Sequence, residues 1–151
     1  MLEEIRDHLL AGAAVSFLNF GIHAAMTGLI VVATRHTANL TGHLGLFVRL
    51  TALLTVTMIA LMTAHVTEIA VWAAYYSLAG IEIQGAGAFE FGFENYTALG
   101  YGDARAVGSD RLIGPITALN GLLLIGWSVA VIFEVMRMAE LQIGNDTDHR
   151  G

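Results

Sequence analysis

The chain has 151 residues, of which 56% are hydrophobic and only 13% are charged, and its formal net charge is −6. Soluble domains carry roughly 25% charged residues, so this composition and a mean hydropathy of +0.66 indicate a membrane protein. All seven basic residues are arginines that form no cluster, which argues against a nucleic-acid partner, and the lack of cysteine excludes disulfides and thiolate metal sites.

The first predicted element is a membrane span from Ala11 to Thr34, a run of 24 residues without a formal charge. At about 1.5 Å per residue, a helix of this length covers a hydrocarbon core of about 30 Å. A signal peptide is the alternative, but the preceding "MLEEIRDH" is net acidic and the apolar run is too long. We therefore interpret the segment as a true span.

Two further apolar runs, Leu50–Gly80 and Leu112–Met138, predict a second and a third span. Between them lie residues 81–111, where "GAFEFGFENYT" has a helical pattern but is too short to cross a membrane. This pattern predicts a re-entrant half-helix. The fold class is thus an all-α membrane protein with three transmembrane helices, and with a pore helix and loop between the second and third.

The segment after the half-helix reads "TALGYGD", in which Gly100 and Gly102 favour backbone angles that a residue with a Cβ resists. The Tyr101 ring is expected to brace the loop against an aromatic ring of the half-helix. The candidates for that contact are Phe91, Phe93 and Tyr96. Irregular backbone at membrane depth must be buried in protein or line a water-filled cavity, so the loop predicts an aqueous path.

The stretch "TALGYGD" resembles the selectivity filter of the bacterial potassium-channel family, and its flanks are similar to that family's pore helix and inner helix. The resemblance spans roughly residues 50–138 and indicates a small subfamily with one extra N-terminal span. It implies that four chains point backbone carbonyls at a dehydrated K⁺ ion, with no other cofactor. The implied filter residues are Thr97, Ala98, Leu99, Gly100, Tyr101 and Gly102.

Two filter positions depart from the family pattern. Ala98 occupies the position of the usual threonine and Leu99 that of the usual valine. Since the family's innermost ion site also uses the threonine hydroxyl, the resemblance implies an altered inner site in a pore that prefers K⁺ to Na⁺. A non-selective cation channel and a non-conducting channel-like protein are the alternatives.

Two carboxylates flank the filter at a spacing that the resemblance also covers. Glu94 and Asp103 match a pore-helix glutamate and a post-filter aspartate that pair behind the filter in some family members. Two close carboxyl groups cannot both ionise cheaply, so one is expected to keep a proton and donate it to the other. The alternative is that Glu94 is a water-exposed carboxylate at the vestibule.

The second span contains His65 and Glu68, which are three residues apart and lie on one face of a helix. They form either a pH-sensing pair or a hydrogen bond that holds helices together. The six histidines share no close ligand spacing, so most are expected at interfaces or in water, and the only metal expected is K⁺ at the filter carbonyls.

Three residues of the third span are candidates for the pore. Asn120 is expected to face the cavity because a lipid-facing amide is costly. Gly121 lies near the position of the family's hinge glycine, and Glu134 is expected near the cytoplasmic gate. Close helix packing through small residues is the alternative for the glycine.

The predicted organisation is an N-terminal span and loop (1–49), a pore domain (50–138) and a short, frayed polar tail (139–151). Residues 35–49 are expected inside the cell and the filter outside. One loop per chain predicts a homotetramer in the inner membrane, with lipid and K⁺ as its other partners. No enzyme motif was found.

Overall fold

The computed structural model describes residues 2–100 and 104–148, and the side chains of these residues other than 2, 4, 5, 109 and 140–148. Three helices are long and apolar enough to cross a membrane. They are α1 (Leu2–Thr41), α2 (Leu46–Leu78) and α4 (Ile113–Asp148), and the short helix α3 (Ala88–Tyr96) lies between the last two. The predicted fold class is confirmed.

Helices α1 and α4 extend beyond the apolar runs that predicted them. Helix α1 does not end at Thr34 but continues through Arg35 to Thr41, and α4 continues past Met138 to Asp148. The first residues of the predicted loop, 35–41, and most of the predicted tail, 139–148, are therefore helical. A helix is not obliged to end where the hydrocarbon ends, because its backbone hydrogen bonds are satisfied internally in water as in lipid.

A short antiparallel pairing encloses α3 and the loop. Strand β1 (Ile83–Gln84) pairs with β2 (Arg105–Ala106), with Ile83 opposite Ala106 and Gln84 opposite Arg105. The two ends of the re-entrant segment are therefore joined by strand pairing. This pairing was not predicted from the sequence. A five-residue 3₁₀ turn, Gly108–Leu112, then leads into α4.

Two compact units can be distinguished along the chain. The first comprises Met1–His23 and Ala64–Ile125, and the second comprises Ala24–Thr63 and Gly126–Gly151. Each long helix contributes to both, whereas α3 and the strands belong to the first. The earlier division into segments 1–49, 50–138 and 139–151 stays a prediction.

Aromatic side chains form the core of the first unit. Tyr76 is buried and packs edge-on against Phe91 of α3 at a ring-centroid distance of 5.3 Å. Its hydroxyl lies 2.6 Å from the Thr117 hydroxyl of α4, so the polar end of this buried ring has a partner. The other fully or largely buried members are Ile69, Trp72, Tyr96, Ala106, Ile113 and Leu124.

Aliphatic side chains form the core of the second unit, and two buried threonines bond to their own helices. Thr34 donates to the Ile30 carbonyl at 2.7 Å and Thr57 donates to the Leu53 carbonyl at 2.9 Å, so neither needs water. Many large apolar side chains remain exposed, among them Phe47 at 81% and Phe133 at 68%. Such surface suits lipid or another chain.

Candidate functional site

Helix α3 ends in a Schellman turn immediately before the glycine-rich loop. The Leu99 amide donates to the Glu94 carbonyl at 3.2 Å, and the Ala98 amide donates to the Asn95 carbonyl at 2.9 Å. These are the two hydrogen bonds that define the motif, whose αL position is usually a glycine. Ala98 occupies that position with a φ of 54°. The start of the predicted filter is therefore also the cap of a helix.

The residues on either side of Ala98 differ in their contacts and backbone angles. The Thr97 hydroxyl donates to the Phe93 carbonyl at 2.8 Å, so it is engaged at the helix end. Gly100 has a φ of 62°, the left-handed region that the two filter glycines were expected to need. Leu99 is 54% exposed in the single chain. Nothing in these contacts tests ion binding, which stays a prediction for Thr97 to Gly100.

The remaining filter predictions fall on residues 101–103, which lie outside the described residues. They concern Tyr101 and Gly102, whose carbonyl oxygens are predicted to coordinate the ion, and Asp103, the predicted partner of Glu94. The Glu94 to Asp103 pair and the aromatic bracing of Tyr101 therefore stay predictions. Of the three rings considered for that bracing, Phe93 is 44% exposed, whereas Phe91 and Tyr96 are buried in the core of the first unit.

The left-handed cap predicts the effects of two substitutions at Ala98. A residue with a Cβ loses about 1–2 kcal/mol in this conformation, and a β-branched one fits it worse. Ala98→Gly should therefore raise the free energy of unfolding by about 1 kcal/mol, and Ala98→Thr should lower it. Chemical unfolding in detergent micelles, followed by circular dichroism, measures both.

The control is Ala74→Gly, at an exposed position within α2. In a helix interior the same exchange costs about 1 kcal/mol, so its sign should be opposite to that of Ala98→Gly. Equal stability of the Ala98→Thr and Ala98→Gly variants would contradict the left-handed cap.

Glu68 is the centre of a buried polar cluster, which we call the Glu68 cluster and which consists of His23, His65, Glu68 and Tyr96. His23 Nδ1 lies 2.8 Å from Oε1 of Glu68, and His65 Nδ1 lies 3.2 Å from Oε2. The Tyr96 hydroxyl donates to the same Oε2 and lies 2.8 Å from His65 Nδ1. The cluster thus joins α1, α2 and the last residue of α3.

The structure adds to the predicted His65 and Glu68 pair a residue that the sequence analysis had not assigned. His23 is fully buried, whereas most of the histidines were expected at interfaces or in water. Its nitrogen, a His65 nitrogen and a Glu68 oxygen lie within 4.8 Å of one another, so these side chains are able to hold a metal ion. The available signal was the ionisable ring of His23 in the middle of an apolar span.

Asn120 lies in a second polar contact, beside the Glu68 cluster. It is 2% exposed, and its Oδ1 accepts hydrogen bonds from Trp72 Nε1 at 2.9 Å and from Asn19 Nδ2 at 3.1 Å. Asn19 Nδ2 also lies 3.3 Å from the Glu68 carbonyl. Partners within the same chain therefore satisfy the carbonyl of Asn120, and its place at the pore cavity stays a prediction.

Gly121 permits close contact between α4 and the end of α3. A Cβ added at Gly121 would overlap the Tyr96 carbonyl oxygen and would lie 2.7 Å from its carbonyl carbon. This geometry supports the packing interpretation of the glycine; a hinge role stays a prediction.

Glu134, the gate candidate, is exposed and paired with its neighbour one turn along α4. Arg137 donates to Oε1 of Glu134 from Nη2 at 2.6 Å and to Oε2 from Nε at 2.9 Å. Both side chains are at least half exposed. Such a pair contributes little to stability, and its proposed place at a gate stays a prediction.

Comparison with known proteins gives one match. A family model described as "Ion channel" matches residues 62–138, just over half of the chain. The matched segment contains most of the Glu68 cluster, all of α3, the glycine-rich loop and most of α4, but not α1. No curated protein and no solved structure shows a significant match.

Proposed function

The chain belongs to the ion channel family, and on this basis we propose that it forms a potassium-selective channel. Four chains would each contribute one glycine-rich loop, whose carbonyls replace the hydration shell of K⁺. The observation that supports this most is the re-entrant segment. A nine-residue helix, α3, too short to span, ends directly at "TALGYGD" between two membrane-spanning helices.

Fourfold assembly is proposed from the geometry of the loop in a single chain. Ala98, Leu99 and Gly100 are all exposed there, although they follow a helix whose other face is buried in the core. One such loop cannot enclose an ion, whereas closed rotational symmetry places identical loops around one axis. The exposed apolar faces of the long helices would then contact lipid or neighbouring chains. We place the multi-pass assembly in the inner membrane.

The proposal includes a preference of the pore for K⁺ over Na⁺. Gly-Tyr-Gly-Asp favours K⁺, whereas Ala98 and Leu99 in place of threonine and valine favour a less selective pore. We propose that the carbonyl sites suffice for K⁺ selectivity, because carbonyl rings rather than hydroxyls form most of such a filter. Na⁺ permeability equal to that of K⁺ would support the non-selective alternative.

Flux into proteoliposomes tests the proposal. In vesicles loaded with K⁺, the outward K⁺ gradient should drive uptake of external ⁸⁶Rb⁺ through the reconstituted chain. Ba²⁺ should block this uptake, and external Na⁺ should not replace Rb⁺. Gly100→Ala should reduce the flux about ten-fold or more, since a positive φ costs a non-glycine residue about 1–2 kcal/mol in every chain.

The matched control is Gly28→Ala. Gly28 lies within α1 without a positive φ, and a Cβ there meets no other atom within 4 Å. Its flux should equal that of the unchanged protein. Absence of any Ba²⁺-sensitive flux from protein that reconstitutes as an oligomer would support the non-conducting alternative.

A further inference from the structure

The Glu68 cluster brings together nitrogen and oxygen donors from two helices. His65 and Glu68 are three residues apart on one face of α2, and His23 approaches Glu68 from α1 at 2.8 Å. Bundle proteins build metal centres from a glutamate and a histidine three residues apart on one helix, with further ligands from facing helices, and here the two residues stand in the reverse order. We propose that His23, His65 and Glu68 bind a first-row divalent transition metal, with Zn²⁺ as the best fit.

The distances suit such an ion. Zinc bonds to imidazole nitrogen and carboxylate oxygen are about 2.0–2.1 Å, which places tetrahedral ligand atoms about 3.3 Å apart. The two histidine Nδ1 atoms lie 2.8 Å and 3.2 Å from their Glu68 oxygens, and the three donors lie within 4.8 Å of one another. The three side chains therefore already lie close together, and metal binding requires their donor atoms to move into tetrahedral positions around one ion. Imidazole and carboxylate together suit zinc and its first-row neighbours better than Ca²⁺ or Mg²⁺.

Charge supplies an independent argument. The Glu68 carboxylate and the His23 ring are both 0% exposed within a membrane-spanning part of the chain. A buried carboxylate is costly unless a positive charge accompanies it. The hydrogen bonds to Glu68 come from two imidazoles and a phenol, and none of these groups carries a permanent positive charge. A divalent ion bound by neutral imidazoles supplies the charge, while Glu68 stays ionised.

Tyr96 supports the site from outside the ligand set. Its hydroxyl donates to Oε2 of Glu68, which orients the carboxylate and leaves Oε1 facing His23. A hydrogen bond of this kind fixes a metal ligand and raises its affinity. The His65 side chain is 16% exposed, so the site has an edge through which an ion enters. Because Tyr96 is the last residue of α3, a bound metal would fasten the end of that helix to α1 and α2.

Metal uptake by the full chain in detergent tests the site and requires no ion flux, so it stands or falls separately from the proposed channel activity. After removal of metals with EDTA, Zn²⁺ uptake measured by mass spectrometry of the metal should reach one ion per chain. Co²⁺ should bind to the same site and give the visible absorption of a four-coordinate nitrogen and oxygen site. His23→Gln and His65→Gln should each weaken binding at least about 100-fold, because each removes a direct ligand.

Two control variants distinguish the metal ligands from residues that do not bind the metal. His36→Gln removes an exposed histidine from the same helix as His23 and should leave the affinity unchanged. Tyr96→Phe keeps all three ligands and should weaken binding by about 10-fold to 100-fold, as loss of a supporting hydrogen bond does. X-ray absorption of the unchanged protein with Zn²⁺ should show two imidazoles and two oxygen ligands, one from Glu68 and one from water, a result that does not depend on the folding of any variant.

Three outcomes would overturn the site: no saturable uptake of Zn²⁺ or Co²⁺, binding that both histidine substitutions leave intact, or an absorption spectrum without imidazole scattering. The first of these would indicate that protons alone balance the charge of Glu68.

Discussion

Gly121→Ala is expected to destabilise the protein by about 3 kcal/mol or more, because the new methyl group would overlap backbone atoms rather than a movable side chain. An added Cβ would lie 2.7 Å from the Tyr96 carbonyl carbon, in addition to overlapping its oxygen. Relief of this overlap requires α4 and the end of α3 to separate. Equilibrium unfolding in mixed micelles should show a large loss of stability, and any ion flux should fall with it.

Gly126→Ala, in the same helix, is the matched control. A Cβ at Gly126 meets no other atom within 4 Å. Alanine should therefore stabilise the helix by up to about 1 kcal/mol through its higher helix propensity. If Gly121→Ala proved as harmless as Gly126→Ala, the close contact of α4 with Tyr96 would be incorrect. A change in gating with unchanged stability would instead favour the hinge interpretation.

Glu68→Ala is expected to destabilise the metal-free protein by about 3–5 kcal/mol, because several polar groups in a buried site lose their acceptor and each such loss costs about 1–3 kcal/mol. The substitution leaves the polar groups of His23, His65 and Tyr96 without their common acceptor in a buried site. Unfolding in EDTA-containing micelles measures the loss without any contribution from metal binding.

Glu68→Gln should be intermediate in stability, because its amide oxygen still accepts one or two of these hydrogen bonds. The exposed Glu90 of α3 gives the control, and Glu90→Ala should change stability by less than about 0.5 kcal/mol. Equal stability of the Glu68→Ala and Glu90→Ala variants would show that the Glu68 cluster does not hold the helices together.

The features predicted correctly from the sequence are those with a local cause. Three long apolar runs were enough to predict three spans, since a bilayer demands long apolar helices whatever their neighbours. The half-helix was predicted within "GAFEFGFENYT" and is observed at Ala88–Tyr96. This prediction succeeded because few structures are open to a short apolar segment that ends in a glycine-rich loop. Helix lengths were underestimated, since hydropathy measures the membrane-spanning part and not the whole helix.

The features that the sequence did not predict are contacts between distant parts of the chain. His23 and Glu68 are separated by 45 residues, and Asn19 and Asn120 by 101 residues. The sequence does not show which helix faces meet, so the hydrogen bonds of Asn19 and Trp72 to the Asn120 oxygen were not predicted. The pairing of β1 with β2 was missed for the same reason, as two-residue strands have no periodic pattern to detect.

By itself, the sequence determined that this is a three-span membrane protein with a re-entrant, glycine-rich loop, because length, hydropathy and backbone freedom are properties of contiguous residues. Only the tertiary structure decided that α1 takes part in the polar core through Asn19 and His23. It also decided that Ala98 caps α3 and that Glu68 gathers two histidines and a tyrosine around one carboxylate. Such sites depend on the faces that packed helices present to each other, and spacing along one chain does not specify those faces.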